Sequence, residues 1–192
     1  MTTDTTGASS AGHRLVVLVE GVSDVVALQA LARRRGRSLD GVTIVAMGGA
    51  TNAGRYLQRY GPHGLDVPLA GLCDATADRY FCRALTRAGI PARSRTEMRD
   101  RGFHVCEADL EDELIKALGT GAVEEIIESQ GELRSLRSLR RQPAQRSRST
   151  HEQLRRFLGS KAGRKRRYAG LLVDALDLSR VPPALDGALE RV

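Results

Sequence analysis

Short apolar runs alternate with amphipathic stretches over roughly the first 120 residues. Four runs have the length and β-branched content of buried strands; they are Arg14 to Val19, Val42 to Met47, Val67 to Cys73 and Phe103 to Cys106. Helical patterns follow each of them, over Val22 to Arg35, Asn52 to Tyr60, Asp78 to Ala88 and, from the acidic stretch EADLEDEL, to about Leu118. This alternation predicts an α/β protein with a Rossmann-like, parallel four-stranded sheet flanked by helices.

The strand pattern ends near residue 120, and the remaining chain reads as helices. The helical stretches are Ala122 to Gln130, Glu132 to Arg141, His151 to Phe157 and Arg164 to Leu176, before a proline-containing tail. We therefore predict a disordered leader over 1–13, an α/β domain over 14–120 and a helical C-terminal extension over 121–192. The Pro, Gln and Ser content of 140–150 is typical of a linker and predicts partial disorder there.

Positive charge is concentrated in one part of the chain. Residues 131–168 hold 13 Arg or Lys and two Glu, a charge of +11, whereas the remaining 17 basic and 21 acidic residues carry −4. Arginine supplies 27 of the 30 cations, and its planar fork suits phosphate. We call 131–168 the basic arm and expect a polyanion as its partner, DNA with RNA as the alternative. A solvated helix face is the competing interpretation. The residues predicted to contact nucleic acid are Arg155, Arg156, Lys161, Arg164, Arg166 and Arg167.

Several classes of site are disfavoured. The three cysteines Cys73, Cys82 and Cys106 form no CxxC pair, so we expect reduced, buried thiols rather than a disulfide framework or zinc site. The four histidines have no metal-ligand spacing, and no GxxxxGK[ST] phosphate loop is present. The polar start and the short apolar runs predict a cytoplasmic protein without a membrane partner.

Acidic residues follow three of the four predicted strands. Ligands of open parallel sheets bind beyond the carboxyl ends of the strands, so converging carboxylates there predict a site for a hard divalent cation, Mg²⁺ or Mn²⁺. Single acids also have structural interpretations: Asp24 as a helix-dipole partner, Asp74 as a helix cap, and Asp112 and Glu113 as solvated face residues. The candidates are Glu20 and Asp24 after the first strand, Asp74 and Asp78 after the third, and Asp109 and Glu111 after the fourth.

Four segments together resemble the Toprim domain of nucleases of the OLD family, named for overcoming lysogenization defect. They are LVVLVEGVSDVVALQAL, MGG, LAGLCDATAD and CEADLEDEL, and the likeness covers about residues 14–118, reaching about 170 through a lysine. The resemblance implies a Toprim fold and a Mg²⁺- or Mn²⁺-dependent endonuclease with one or two ions. It assigns catalysis to Glu20 and to Lys165, with Lys161 as the alternative lysine, and metal binding to Glu20, Asp24, Asp74, Asp109 and Glu111.

Two departures from the family pattern affect these expectations. Thr76 stands where the family has the second aspartate of its DxD motif, and Asp78 is the nearest substitute. The family's ATPase domain has no counterpart in the sequence, so ATP dependence would need a separate ATPase partner, and a homodimer is compatible with the family. Two alternatives to a DNA nuclease stay open: a catalytically silent module that binds nucleic acid or a partner, and a nucleotidyl transferase.

Overall fold

Four parallel strands form the central sheet of the computed structural model, which describes residues 15–161 and 163–192. The strands are β1 (Leu15–Val19), β2 (Val42–Ala46), β3 (Leu69–Cys73) and β4 (Phe103–Val105), in the order β2-β1-β3-β4. In the register of the sheet, Val17 of β1 pairs with Ile44 of β2 on one side and with Ala70 of β3 on the other. The predicted parallel α/β sheet is confirmed, while the predicted leader lies outside the described residues.

The strand order creates a crevice at the carboxyl ends of β1 and β3. The chain leaves β1 toward β2 on one side and then crosses to β3 on the other side of β1. Connections therefore diverge between the two central strands, which is the place where open α/β sheets bind ligands. Glu20 and Asp74, the first residues after β1 and β3, stand at this point.

Helices cover both faces of the sheet. Their bounds are α1 (Val22–Arg34), α2 (Ala53–Tyr60), α3 (Asp78–Arg87), α4 (Arg95–Asp100), α5 (Leu110–Leu118), α6 (Thr120–Ser129), α7 (Leu133–Arg140), α8 (Thr150–Leu158), α9 (Arg164–Ala175) and α10 (Pro183–Glu190). Two of them, α4 and α10, were not predicted. The first is only six residues long, and the second begins at prolines, which are favourable at a helix start although they resemble a tail in sequence.

Two hydrophobic cores lie on opposite faces of the sheet. Leu15, Val17 and Val19 pack with α1 and the helices from α5 onward, whereas Val16 and Leu18 pack with α2, α3 and α4. Successive side chains of a strand point to opposite faces, so β1 is buried on both. The C-terminal extension thus shares a core with the α/β part.

Specific contacts fasten the extension to α1. The Arg34 guanidinium donates to the carbonyl oxygens of Val173 and Leu176 at the end of α9. The segment 140–150 is also structured, which corrects the prediction of partial disorder. Its Pro143–Gln145 stretch is a 3₁₀ turn, and buried Gln145 accepts a hydrogen bond from the Gln153 side chain at 2.8 Å.

All three cysteines are free; Cys73 and Cys106 are buried and Cys82 is half-buried. Within the described ranges, no helix has both the length and the apolar character that a membrane crossing requires.

Replacing Gly71 by alanine should destabilise the sheet. A Cβ there would lie 2.6 Å from Cδ1 of Phe103 and 2.9 Å from the Leu18 carbonyl oxygen. Because these atoms are part of the packed centre, we expect Gly71→Ala to lower the free energy of unfolding by about 1–3 kcal/mol, measured by urea denaturation. In Gly54→Ala, the added Cβ meets no atom within 4 Å, and stability should be unchanged or slightly higher. Equal stability of both variants would contradict this packing.

Candidate active site

Glu20 is held by backbone groups from both neighbouring strands. Its Oε1 accepts a hydrogen bond from the Asp74 N–H at 2.7 Å. Its carbonyl oxygen accepts from the N–H groups of Gly48 and Gly49, each at 3.0 Å. Both glycines have positive φ, +75° and +117°, which side-chain-bearing residues rarely adopt. The MGG turn after β2 therefore orients the end of β1.

Asp24 lies in the first turn of α1, four residues after Glu20. Its Oδ2 accepts a hydrogen bond from the Gly21 N–H at 2.8 Å. Burial raises the pKa of Asp24 to about 6, with further increases from Glu111 and Glu20, against decreases from the Gly21 N–H and Lys165. The site thus contains a carboxylate held in an environment that disfavours its charge.

Asp74 is perturbed in the same direction and more strongly. Burial raises its pKa to about 7, and the charges of Glu20, Asp24, Asp109 and Glu111 add to the increase. We call Glu20, Asp24, Asp74 and Glu111 the acidic cluster. Its members influence one another electrostatically although three different β–α connections carry them. The structure brings these four predicted residues together.

Lys165 of α9 reaches the acidic cluster from the C-terminal extension. Its Nζ lies 2.8 Å from Glu111 Oε2, and the Glu111 side chain is 8% exposed while that of Lys165 is 48% exposed. Burial lowers the pKa of Lys165, but the hydrogen bond to Glu111 and the other carboxylates outweigh it and raise the pKa. A permanently charged ammonium group therefore borders the cluster and still faces solvent. The alternative lysine, Lys161, is exposed.

Asp109 is engaged in two structural contacts. Its Oδ1 accepts from the Asp112 N–H at 2.8 Å and caps α5. Its Oδ2 lies 2.7 Å from the Arg155 guanidinium. Asp109 is therefore a helix cap that was not predicted from the sequence, and both of its carboxylate oxygens are occupied.

Asp78 lies outside the acidic cluster. A 3₁₀ turn over Ala75–Ala77 separates it from Asp74 and makes it the first residue of α3. Its carboxylate forms an ion pair with Arg95 of α4 at 2.9 Å. The Asp78 carboxylate is therefore committed to Arg95.

The comparisons with known proteins agree with this geometry. Residues 13–75 match the family model described as the Toprim domain of overcoming lysogenization defect protein-like proteins. The fold is similar to the C-terminal region of the Xanthomonas campestris pv. campestris OLD protein, with a TM-score of 0.73, 25% identity, and coverage of 94% of this chain and 92% of that one. The chain is therefore similar to an OLD-like Toprim domain, in sequence over residues 13–75 and in fold over nearly all of its length. The C-terminal region of the Burkholderia pseudomallei OLD protein has the same fold, with a TM-score of 0.72, 22% identity, and coverage of 93% and 96%. No curated protein is similar enough in sequence to be a match.

Toprim domains bind divalent metal ions, and the donor chemistry of the acidic cluster fits such an ion. All donors are carboxylate oxygens, and their mutual repulsion favours a hard cation. As they stand, no three His, Cys, Asp or Glu side chains in the described part of the chain are spaced to hold a metal. Oxygens of Glu20, Asp24 and Glu111 are already bonded to N–H groups or to Lys165. The residue types therefore fit an ion, but the side chains must turn to complete its ligand set.

Some cations of the basic arm are buried in contacts within the protein, whereas others are exposed. The prediction that Arg164 contacts nucleic acid is wrong, because its side chain is 4% exposed and pairs with Glu132 at 2.9 Å. Its guanidinium also lies 3.9 Å from the centre of the Phe157 ring. Arg164 joins α7, α8 and α9, and so stabilises the extension.

The other predicted contacts of the arm are exposed. Arg155 is paired with Asp109, and Arg167 donates to Gln130 at 2.7 Å. Arg156, Lys161 and Arg166 make no ion pair within residues 15–161 and 163–192. These three cations are available to an external anion.

A further charged group near the site was not predicted from the sequence. Asp112 of α5 is held by His151 Nε2 at 2.7 Å and by Lys116 Nζ at 2.9 Å. Burial raises the pKa of Asp112, but these two partners outweigh it, and the pKa lies below the usual range. Only the spacing of Asp112 and Lys116, four residues apart, is a signal in the sequence; the contact with His151 spans 39 residues.

Removing a carboxylate from the acidic cluster should stabilise the metal-free protein. Because the pKa of Asp24 is raised from 3.8 to about 6 on folding, its stabilising contribution is complete below pH 3.8 and is lost as the pH rises through 6. We expect Asp24→Asn to raise the Tm at pH 8 in EDTA by about 2–6 °C and to give no gain at pH 4. The asparagine retains an acceptor for the Gly21 N–H.

Asp78→Asn is the matched control, because it removes the same charge from an ion pair outside the cluster. It should leave the Tm at pH 8 unchanged or slightly lower, as measured by thermal unfolding under the same conditions. An Asp24→Asn protein no more stable than wild type at pH 8 would show that the ionised Asp24 side chain does not destabilise the folded protein.

Proposed function

We propose that this protein is a metal-dependent endonuclease that hydrolyses phosphodiester bonds of DNA. The observation that supports the proposal is the acidic cluster at the β1/β3 crevice with a charged lysine 2.8 Å from one of its members. OLD-like Toprim domains are of the nuclease type, which agrees with this arrangement. The reaction class is phosphoryl transfer to water.

Lys165 has the properties needed to stabilise charge on a phosphate. Its raised pKa keeps it protonated, and its half-exposed position allows the ammonium to turn from Glu111 toward an incoming phosphate oxygen. Charge that develops on those oxygens in the transition state is then offset by a pre-positioned cation. The hydrogen bond from the Asp74 N–H fixes the Glu20 carboxylate in the crevice, where it can contact the reacting groups.

The residues that would hold Mg²⁺ or Mn²⁺ are Glu20, Asp24, Asp74 and Glu111, with Asp109 beside them. When bound, such an ion activates water and stabilises the leaving oxygen. Asp109 would first have to release Arg155. Asp78 is a ligand in this proposal only if its ion pair with Arg95 opens.

The basic arm brings the nucleic acid to a site that would otherwise repel it. Four carboxylates in one crevice disfavour a phosphate backbone, so binding requires cations nearby. Arg156 of α8 and Arg166 of α9 are exposed, and each adjoins a residue that is paired with the acidic region, Arg155 or Lys165. Contacts of this kind position DNA with little sequence preference.

A catalytically silent nucleic-acid-binding module is the second candidate. Thr76 removes one family carboxylate, and the ion pair of Asp78 with Arg95 keeps the nearest substitute away from the cluster. Such a module would bind DNA through the same arm without cleaving it.

Cleavage of supercoiled plasmid separates these two functions. At low salt we expect wild type to nick the plasmid with Mg²⁺ or Mn²⁺ and not with EDTA, and Glu20→Gln to lower the rate at least about 100-fold, because it removes a charge on which the site depends. Lys165→Met should cause a loss of similar size, since it removes the cation beside Glu111. Gel electrophoresis of time courses measures both rates.

Glu128→Gln is the control for these substitutions, because it makes the same chemical change at an exposed position of α6. It should cleave at the wild-type rate. A plasmid that is retarded by wild-type protein but never nicked with either metal would refute the nuclease and leave the silent module.

Substitutions in the arm should change affinity and its salt dependence. The double variant Arg156→Ala/Arg166→Ala removes two exposed cations, and each lost phosphate contact should reduce the slope of log Kd against log salt by about 0.9. We expect binding at low salt to weaken about tenfold, measured by fluorescence anisotropy with labelled duplex DNA. Arg83→Ala/Arg87→Ala loses the same charge from α3 on the opposite face of the sheet. If both pairs had equal effects, binding would reflect net charge rather than the arm.

A further inference from the structure

A cleft of about 620 Å³ lies beside β4, away from the crevice between β1 and β3. Its walls come from α4, β4, the loop after β4, α5 and the segment that leads into α10. This volume is within the range of about 300–1,000 Å³ that is typical of small-molecule sites. The cleft is thus large enough for an organic ligand and larger than an inorganic anion needs.

Two arginines in the wall of the cleft are free to bind an anion. Arg99 of α4 and Arg180, just before α10, form no ion pair with any residue that the structure describes. Two further cations of the wall, Arg95 and Lys116, are already paired with Asp78 and with Glu107 and Asp112. Two guanidinium groups without ion-pair partners in one cleft are suited to bind a phosphate.

The remaining wall combines apolar surface with one buried carboxylate. Val105, Val181 and Pro182 provide flat apolar contacts. Glu113 is 8% exposed; its Oε1 accepts from the Glu107 N–H at 2.8 Å, while its Oε2 has no hydrogen-bond partner among the described residues. A buried carboxylate oxygen without a donor is costly, and N–H groups of a ligand would satisfy it after a small side-chain shift.

We propose that this cleft binds a nucleotide unit. Its phosphate would lie against Arg99 and Arg180, its base against Val105, Val181 and Pro182, and the N–H groups of the base toward Glu113. Neither a lipid tail nor inorganic phosphate requires all three features together. Glu111 of the acidic cluster and Glu113 of the cleft are both on α5, so the two sites share one helix. The nucleotide unit can therefore be a free nucleotide or part of a bound strand that also reaches the cluster.

Isothermal titration with nucleoside monophosphates tests the proposal without reference to catalysis. In EDTA, we expect at least one of AMP, GMP, CMP and UMP to bind wild type with a Kd below about 1 mM. Arg99→Ala/Arg180→Ala should weaken that binding at least about tenfold, since it removes two charge-assisted contacts. Arg83→Ala/Arg87→Ala, with the same loss of charge on α3, should bind within about twofold of wild type.

Two reference ligands test whether the base is recognised. Ribose 5-phosphate and inorganic phosphate should bind at least about tenfold more weakly than the best nucleotide, because neither reaches the apolar wall. Equal binding of either one would overturn the nucleotide assignment and leave a simple anion site. Thermal unfolding of each variant verifies that it is folded.

A 5′-phosphorylated single-stranded hexanucleotide distinguishes the two sources of the nucleotide. Binding of the monophosphate itself identifies a free nucleotide as the ligand. Binding of the hexanucleotide alone, weakened by Arg99→Ala/Arg180→Ala and not by the α3 pair, identifies a strand. If neither ligand binds wild type, or if the cleft variant binds both as wild type does, the proposal is wrong.

Discussion

Four carboxylates share one crevice at the carboxyl ends of β1 and β3, and their repulsion has to be offset by cations. The C-terminal extension supplies groups that bind this acidic region: the Lys165 ammonium pairs with Glu111 of the cluster, the Arg155 guanidinium pairs with neighbouring Asp109, and the His151 ring bonds to Asp112. Each pair joins α5 to α8 or α9. The extension is therefore the electrostatic counterpart of the acidic region as well as a cover for one face of the sheet.

Part of the +11 charge of the basic arm therefore stabilises the protein itself. Arg140 binds Glu124 through two contacts of 2.6 and 3.0 Å, and Arg164 binds Glu132 while it lies over Phe157. These cations hold α6, α7, α8 and α9 together and are not available to a polyanion. A smaller group of exposed cations, on the same helices that supply Arg155 and Lys165, remains for external binding.

The sequence predicted those parts of the fold that depend on local pattern. The apolar runs located all four strands to within about two residues. The run is clearest for β1, because a strand buried on both faces needs continuous apolar sequence. The placement of Glu20, Asp24, Asp74 and Glu111 followed from the rule for strand ends. The partners of Asp78, Asp109 and Arg164 did not follow, since these contacts join residues 17 to 46 positions apart and depend on how the helices pack. The helix α4 is too short to show a helical period, and the prolines at the start of α10 resemble a tail in sequence.

The acidic cluster also links stability to function. Asp24 and Asp74, with pKa values raised to about 6 and 7, hold protons that fully solvated carboxyls would release near pH 4. In the proposed function, a divalent ion would compete with these protons for the same oxygens, so the affinity for the ion would increase as the pH rises through this range. Lys165 reduces the repulsion only in part, because its contact is with Glu111 on one side of the crevice. The charge imbalance that weakens the fold is thus the same property that makes the crevice suitable for a cation.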